Sequence, residues 1–177
     1  YWVETIITPQ LGLDGKPMAY MAIRIDITAR KRAEAQISYA ATHDALTGLA
    51  NRSALLARMN EALVRVREQQ GTLTVYLLDL DGFKHVNDTL GHETGDRLLK
   101  ELACRLTLAV GETDVVARLG GDEFAIIRAA AADQRENAID LARKVLDLTA
   151  QPFYLEGQNI FVSASIGIAL APANGIQ

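Results

Sequence analysis

The apolar run at residues 73–80, bounded by Gly71 and Gly82, limits how this chain can fold more than any other segment does. An apolar segment of this length without alternation predicts a β-strand that is buried on both faces. Such a strand needs further strands at its sides and helices above and below it. A chain of 177 residues with 49% hydrophobic content is long enough to supply that cover.

Three amphipathic helices are predicted around this strand. Asn51 can cap the first, and Asp133 with Glu136 three residues later forms a capping-box-like start for the third. Their apolar faces consist of Leu55, Met59, Leu63 and Val66, of Leu98, Leu102, Leu106 and Ala109, and of Leu141, Val145 and Leu148.

Further strands complete a sheet. Two short strands within residues 115–128 flank Gly120 and Gly121, and residues 161–170 form a last strand. The order helix, strand, helix, hairpin, helix, strand predicts an α/β (α+β) fold, in which a central mixed or antiparallel sheet is flanked by helices.

The first 43 residues differ from the rest. Residues 2–8 and 18–28 predict a β-hairpin, which cannot form a domain alone, and residues 29–43 predict a linker helix. This junction resembles the point where a PAS domain passes into a signalling helix. Residues 1–28 are therefore expected to be the last strands of a PAS-like domain, with an ordinary hairpin and linker as the alternative. Residues 44–177 then form the main domain.

The overall charge argues against a protein that binds nucleic acid. The formal net charge is -4, so the chain lacks the basic surface that nucleic-acid phosphates require. The single cysteine, Cys104, cannot form an internal disulfide, which fits a reducing compartment. No apolar run approaches the roughly 20 residues that span a bilayer. These features predict a cytoplasmic location without direct membrane contact.

Two groups of acids stand at predicted strand ends. Asp79 and Asp81 follow the apolar strand, and Asp122 and Glu123 follow two glycines at the hairpin tip. Carboxylates beside substrate phosphates are the ligands that Mg²⁺ prefers. A solvated Asp-Gly turn is the alternative at the first place. If one sheet brings both groups together, they could hold the divalent ions used in phosphoryl transfer.

Four stretches resemble motifs of one known family. Gly120-Gly121-Asp122-Glu123-Phe124 resembles the signature of the GGDEF family of diguanylate cyclases. Residues 44–52 resemble the family's opening motif, residues 79–84 its metal loop and residues 87–96 its guanine-binding stretch. The resemblance extends to about residue 172. It implies an enzyme that condenses two GTP molecules into cyclic di-GMP.

The resemblance implies a metal and phosphate site. Asp79, the backbone carbonyl of Leu80 and Asp122 are expected to hold Mg²⁺ or Mn²⁺, with Glu123 assisting. Asp122 is also expected to accept the proton of the attacking 3′-hydroxyl. Lys84 would oppose the charge that develops on the phosphates, with a solvated loop lysine as the alternative.

The resemblance also implies a nucleotide site. The backbone amides around Gly82 and Phe83 would cradle the phosphates. Asn87 and Asp96 are expected to bind guanine, whose N1–H a carboxylate can accept, so GTP is favoured over ATP. The alternative for Asp96 is a first-turn acid that the helix dipole favours. His92 would lie near the nucleotide, although a lone histidine could equally be structural.

The family resemblance implies catalysis by a homodimer, in which each protomer holds one GTP. The alternatives are a catalytically silent GTP-binding module that controls a downstream phosphodiesterase, and a signal-relay or dimerisation module. Intact acids at Asp79, Asp122 and Glu123 favour the enzyme. Family members continue past Ile168 with a helix and a basic, phosphate-contacting segment. We therefore expect the domain at residues 44–177 to be cut short and to bind GTP weakly.

Many family members bind their product through an Arg-x-x-Asp motif before the signature. At the matching spacing this chain has Gly111-Glu112-Thr113-Asp114, in which glycine replaces the arginine. Glycine offers no donor to an anionic ligand. We therefore expect weak product inhibition. The alternative is that Gly111 only ends the preceding helix as its C′ residue.

Overall fold

The computed structural model describes residues 1–11, 13, 15–69, 71–130 and 135–172. The chain divides into two compact units, residues 1–40 and 41–177. In the first unit, strands β1 (Val3–Leu11) and β2 (Pro17–Asp26) pair antiparallel, and helix α1 (Thr28–Ala40) follows them. The predicted hairpin and helix are therefore present. Their origin in a PAS-like domain remains a prediction.

The second unit combines a sheet with helices. Its elements are α2 (Arg52–Gln69), β3 (Thr72–Asp81), α3 (Phe83–Leu90), α4 (His92–Ala109), β4 (Val115–Gly120), β5 (Glu123–Ala130), α5 (Arg135–Ala150), β6 (Phe153–Leu155), β7 (Gln158–Ile160) and β8 (Ser163–Pro172). Four strands form an antiparallel sheet in the order β4-β5-β3-β8, and β6 pairs with β7. The expected α/β fold with flanking helices is confirmed. None of the helices in the described ranges combines the length and the apolar character needed to cross a bilayer.

The two faces of the sheet are covered by different helices, because successive side chains of β3 point to opposite faces. Tyr76, Leu78 and Leu80 pack with α4 and α5 in the largest core cluster. Leu73 and Val75 point the other way and pack with residues of α2. All three predicted amphipathic helices therefore bury apolar side chains against the sheet.

The strand at residues 73–80 is not buried on both faces along its whole length, as its composition predicted. Leu77 is 53% exposed, and Asp79, which follows it on the same face, is exposed as well. Among the described residues, α2 packs on this face only beside the first half of β3. The apolar composition of the strand therefore predicted more burial by helices than the end of the strand has.

Three elements were not predicted from the sequence. Helix α3 has eight residues and overlaps the stretches interpreted as the metal loop and the guanine-binding stretch, and it is too short for helical periodicity to be detected. Strands β6 and β7 have three residues each. The capping residue predicted for α5, Asp133, lies outside the described residues.

Arg105 of α4 fastens the end of α5. Its guanidinium donates hydrogen bonds to the carbonyl oxygens of Leu148, Gln151 and Pro152 at distances of 3.1, 3.0 and 2.9 Å. It also lies 3.8 Å from the ring centre of Phe153, which is fully buried. The last carbonyls of a helix have no partner within the helix. A single side chain therefore ties α5 and the β6–β7 hairpin to α4.

Candidate functional site

The acids predicted to bind metal meet at one end of the sheet. β3 and β5 are neighbouring strands, and their register places Asp79 opposite Glu123. Asp122 precedes Glu123 in the turn between β4 and β5. Asp79 and Glu123 are exposed, and Asp122 is half-buried. One sheet therefore brings the two acidic segments together, as the hypothesis required.

Among the described residues, none pairs with the charges of these acids. Like charges directly opposite each other destabilise an antiparallel pair. Over the described part of the chain, no side chain forms an ion pair or hydrogen bond with Asp79, Asp122 or Glu123. Nor do three or more His, Cys, Asp or Glu side chains there converge on one point. Mg²⁺ needs only one or two carboxylates beside phosphates and water, so this donor set fits an ion that binds together with its substrate.

Asp81 has partners of its own, unlike Asp79. Its two carboxylate oxygens accept hydrogen bonds from the hydroxyls of Ser163 and Ser165, both at 2.9 Å. These serines lie on β8, which pairs with the other edge of β3. Of the two strand-end acids, Asp79 is therefore the one whose carboxylate has no partner in the part of the chain that the structure describes, and Asp81 fastens the end of β3 to β8.

The loop after β3 leads directly into α3. Gly82 has φ of 75°, where a side chain would strain the backbone. Phe83 is buried and anchors the first turn of α3, whereas Lys84 beside it is exposed. Leu80 is also buried, so the chain is anchored on both sides of this turn. The first amides of a helix lack partners within the helix and attract anions, which suits a phosphate group.

Asn87 on α3 and Asp96 on α4 lie where these two helices meet. Gly95 packs so closely against Asn87 that a Cβ there would overlap Oδ1 and come within 3.2 Å of Cζ of Phe83. Oδ1 of Asn87 is buried without a hydrogen-bond partner among the described residues. The side chain of Asp96 is exposed. An orphaned oxygen near an exposed carboxylate fits a ligand that carries N–H donors, as guanine does.

His92 and Asp96 both belong to the N-terminal part of α4. His92 is its first residue and is exposed. The acid in the first turn is Glu93, whereas Asp96 is the fifth residue of the helix. The alternative that Asp96 is a first-turn acid favoured by the helix dipole is therefore wrong. The role of His92 remains a prediction.

Arg118 was not among the predicted site residues, yet it holds the turn that carries Asp122. Its Nε and Nη2 donate to the carbonyl oxygen of Gly121 at 3.0 and 2.7 Å. Its Nη1 donates to both carboxylate oxygens of Asp44 at 3.0 and 3.2 Å. The Arg118 side chain is 11% exposed; its bonds to Asp44 are partly buried, whereas those to Gly121 are exposed. The only sequence signal was a charged residue within the otherwise apolar strand β4.

Asp44, in the motif that opens the second unit, receives donors from two directions. Thr47 donates to it through its backbone N–H at 2.9 Å and its hydroxyl at 2.7 Å. Burial would raise the pKa of Asp44, but the hydrogen bonds from Thr47 and Arg118, together with the Arg118 charge, hold that pKa below its ordinary value. Asp44 of the opening motif therefore accepts hydrogen bonds from Arg118. Arg118 in turn holds the signature turn through the carbonyl of Gly121.

We expect the Asp44 carboxylate to stabilise the fold in a pH-dependent way. A carboxyl group whose pKa is lowered by folding contributes stability that is complete above its unfolded pKa and is lost as pH falls through its folded pKa. Asp44→Asn should lower the free energy of unfolding at neutral pH, and its difference from wild type should shrink below the ordinary pKa of 3.8. Urea unfolding of both proteins from about pH 7 to about pH 3 measures this difference. A difference that is constant over that range would contradict the expectation.

Asp114 is engaged within the protein. Its side chain is 3% exposed and accepts hydrogen bonds from Nε of Arg128 at 3.0 Å and from the backbone N–H of Gly111 at 2.9 Å. The hydrogen bond with Asp114 raises the pKa of Arg128. α4 ends at Ala109 and its C-cap residue is extended, while Gly111 does not have positive φ. Gly111 follows the C-cap residue Val110 and therefore stands at C′, as the alternative stated, although without the left-handed backbone of a glycine cap.

Comparisons with known proteins agree on one family. A family model described as "Diguanylate cyclase, GGDEF domain" matches residues 41–177. A signaling protein from Caulobacter vibrioides is 42% identical over 158 residues, which are 89% of this chain and 19% of that protein. Diguanylate cyclase TpbB from Pseudomonas aeruginosa is 40% identical over 139 residues, which are 78% of this chain and 32% of TpbB.

The fold has a solved counterpart of the same kind. The crystal structure of a sensory box/GGDEF family protein from Caulobacter crescentus matches with a TM-score of 0.72 and 43% identity. The match covers 76% of this chain and 86% of that one. The chain spans about a fifth of the length of the first curated relatives that it matches.

Proposed function

The chain belongs to the GGDEF domain family, and from that premise we propose that it is a diguanylate cyclase, which converts two GTP molecules into cyclic di-GMP and pyrophosphate. The observation that carries the proposal is the set of uncompensated acids at one end of the sheet, with Asp79 opposite Glu123 and Asp122 beside them. The orphaned Oδ1 of Asn87 supports it as well. The acids suit a metal ion and phosphates. Oδ1 of Asn87 suits the N–H groups of a nucleobase.

The phosphate end is formed by the sheet and the start of α3. Asp79, the carbonyl of Leu80 and Asp122 would hold Mg²⁺ or Mn²⁺, and Glu123 would assist them. The bound ion supplies positive charge that offsets the charge of the triphosphate. Lys84 adds a positive charge on the exposed side of α3. This charge would stabilise the negative charge that develops on the phosphates.

The amides around Gly82 and Phe83 donate to the remaining phosphate oxygens, as amides at a helix start do. At the base end, Asp96 accepts from N1–H and the N2 amino group of guanine, and Asn87 provides a further acceptor. Adenine has no hydrogen on N1 and leaves Asp96 unpaired. We therefore infer a preference for GTP over ATP, smaller than the roughly 10⁴ of well-buried sites because Asp96 is exposed. His92 is the exposed first residue of α4, and we infer that it lies near the nucleotide.

Asp122 accepts the proton of the 3′-hydroxyl as this oxygen forms a bond to the α-phosphorus of the second GTP. The bond from that phosphorus to the bridging oxygen of pyrophosphate breaks, and pyrophosphate leaves. The 3′-hydroxyl of the second nucleotide then loses its proton in the same way and attacks the α-phosphorus of the first, a second pyrophosphate leaves, and the ring is closed. Each protomer has one guanine site, so both attacks require a homodimer that brings two sites together. We infer no nucleic-acid partner and a cytoplasmic location.

Chromatography of the nucleotides formed from GTP and Mg²⁺ or Mn²⁺ tests this proposal. We expect cyclic di-GMP, and a rate per protomer that rises with protein concentration, because two protomers must meet. A rate per protomer that is independent of concentration in the dissociated range would contradict the homodimer mechanism. GTP binding without product, even when weak, would instead support the silent regulatory module, and absence of GTP binding would exclude both.

We also propose that the first unit is the end of a PAS-like sensor followed by its signalling helix. Both strands of its hairpin are exposed throughout. Ile6 and Ile23 lie on one face of the hairpin, and Ile7 and Tyr20 lie on the other. A two-stranded sheet with apolar side chains on both faces is marginal alone, so it fits the last part of a larger sheet.

Product binding provides a further prediction. A Cβ on Gly111 would lie 3.5 Å from Oδ2 of Asp114, an ordinary contact, so an arginine fits there without strain. We expect Gly111→Arg to bind cyclic di-GMP at least about tenfold more tightly than wild type, because the new guanidinium donates to an anionic ligand. Calorimetry measures both affinities, and Glu112→Arg is the control for added charge. Tight binding by the wild type, or an equal gain with Glu112→Arg, would contradict this interpretation.

A further inference from the structure

The hairpin of β6 and β7 has a strained residue at its tip. Leu155 pairs with Gln158, so Glu156 and Gly157 form a two-residue turn. Their φ angles are 52° and 82°, and two positive values in succession are typical of a type I′ turn. Glu156 is the only non-glycine residue with positive φ in the described ranges. Such turns favour asparagine, aspartate or glycine, so the turn itself does not explain a glutamate.

The side chain of Glu156 contacts helix α4. Its Oε1 lies 2.9 Å from Nη1 of Arg97, and its Oε2 lies 3.5 Å from the hydroxyl of Thr94. Arg97 also pairs with Glu93 at 2.7 Å, and the Thr94 hydroxyl donates to the carbonyl oxygen of Leu90 at 3.0 Å. The carboxylate therefore connects the tip of the hairpin with α4 through the Arg97 ion pair, and it lies beside Thr94, whose hydroxyl proton goes to the end of α3.

The segment held in this way carries half of the proposed guanine site. Gly95 and Asp96 lie between the two residues of α4 that contact Glu156. Gly95 packs against Asn87 with no room for a Cβ. A displacement of this turn would therefore change the position of Asp96 relative to Asn87, and with it the fit to a guanine edge.

The hairpin is a fixed base for the contact. Phe153 and Ile160 pair at its open end, and both are buried in the core. Arg105 of α4 lies over the ring of Phe153. The tip of the hairpin is thus only a few residues from positions that the core holds in place, and Glu156 transmits that rigidity to α4.

We propose that Glu156 is a positioning residue, which fixes the guanine-binding turn of α4 and so sets the preference for guanine. The inference rests on the proposed function. Glycine or asparagine would suit the turn better, and a half-exposed ion pair contributes little to stability. What a glutamate adds is reach, because its carboxylate contacts both Thr94 and Arg97.

The test compares wild type with Glu156→Gly by calorimetry with GTP and with inosine triphosphate, by steady-state kinetics and by thermal melting. Inosine triphosphate lacks the N2 amino group, so the ratio of the two dissociation constants reports on base recognition. We expect the Kd and the KM for GTP to rise about five- to tenfold. The ratio of the Kd for inosine triphosphate to the Kd for GTP should fall toward one. kcat should stay within about twofold of wild type, because the metal and phosphate end is unchanged. The melting temperature should not fall, since glycine relieves the strain.

Glu156→Gln is the matched control, because its amide keeps the length of the side chain and can still accept from Arg97. It should restore most of the affinity and of the preference for GTP. If Glu156→Gly binds GTP like wild type, or lowers kcat with KM unchanged, then the role of Glu156 is wrong and the proposed function stands. If the wild-type chain binds no GTP, both are wrong.

Discussion

Asp122→Asn is expected to lower the rate of cyclic di-GMP formation by at least about 100-fold, because the amide can neither accept a proton nor carry the charge that holds a cation. The fold should persist. Asp122 lies in a turn outside the core, and the main anchor of that turn is the bond from Arg118 to the carbonyl of Gly121, which the substitution does not touch. Product analysis at saturating GTP measures the loss, and thermal melting checks the fold.

Asp147→Asn is the matched control for this experiment. Asp147 is an exposed acid of α5 and has no place in the proposed site, so its loss should leave the rate unchanged. If Asp122→Asn forms product as fast as the control does, the assignment of the acids at the sheet end to the chemistry is wrong. If both variants lose activity together, the effect is one of net charge.

Arg118→Met is expected to lower both activity and stability. The substitution removes the donors to Gly121 and leaves the Asp44 carboxylate without its cation. We expect a loss of about 2 kcal/mol in the free energy of unfolding, less than the roughly 3–5 kcal/mol of a fully buried pair. Misplacement of the turn that carries Asp122 should also lower the rate of product formation by about 10- to 100-fold. Urea unfolding and product analysis measure the two effects separately.

The Arg118 experiment needs controls for charge and for the pair. Arg67→Met removes an exposed arginine of α2 and should change neither quantity. Arg118→Lys keeps the charge, but one ammonium group cannot replace a fork that donates to Asp44 and Gly121 together, so it should recover only part of the loss. Asp44→Asn and the double variant complete a cycle that isolates the coupling. Full activity of Arg118→Met in the folded state would show that this arginine is structural only.

The sequence predicted those parts of the site that lie in continuous segments. The apolar strand that ends in Asp79 and the glycine turn that precedes Asp122 each carry a local signal, and the sheet brings them together through ordinary strand pairing. The paired helices that carry Asn87 and Asp96 follow one another along the chain. Their mutual placement depends on Gly95, because a Cβ there would overlap Asn87. Gly95 belongs to the guanine-binding motif, but the motif alone does not say why a glycine is needed at this position.

The contacts that support the site could not be predicted in this way. Arg118 and Asp44 are 74 positions apart, and Glu156 and Thr94 are 62 positions apart. No periodicity links residues at such separations. Only the fold brings them together. The exposure of Leu77 escaped prediction for a related reason, because the extent to which a helix covers a strand depends on packing and not on the composition of the strand.

The central place of β3 has a consequence for synthesis of the protein. Asp79 pairs on one side with Glu123 and on the other with Ser165, which the ribosome adds much later. At about 5–20 residues per second, several seconds pass during which an apolar strand has its second edge unpaired. A nascent chain that lacks β8 can already pair β3 with β5, but its Asp81 has no partners until Ser163 and Ser165 are added. During the same interval the unpaired edge of β3 can pair with strands of other chains. We therefore expect the yield of folded protein to depend on chaperones that bind nascent polypeptides.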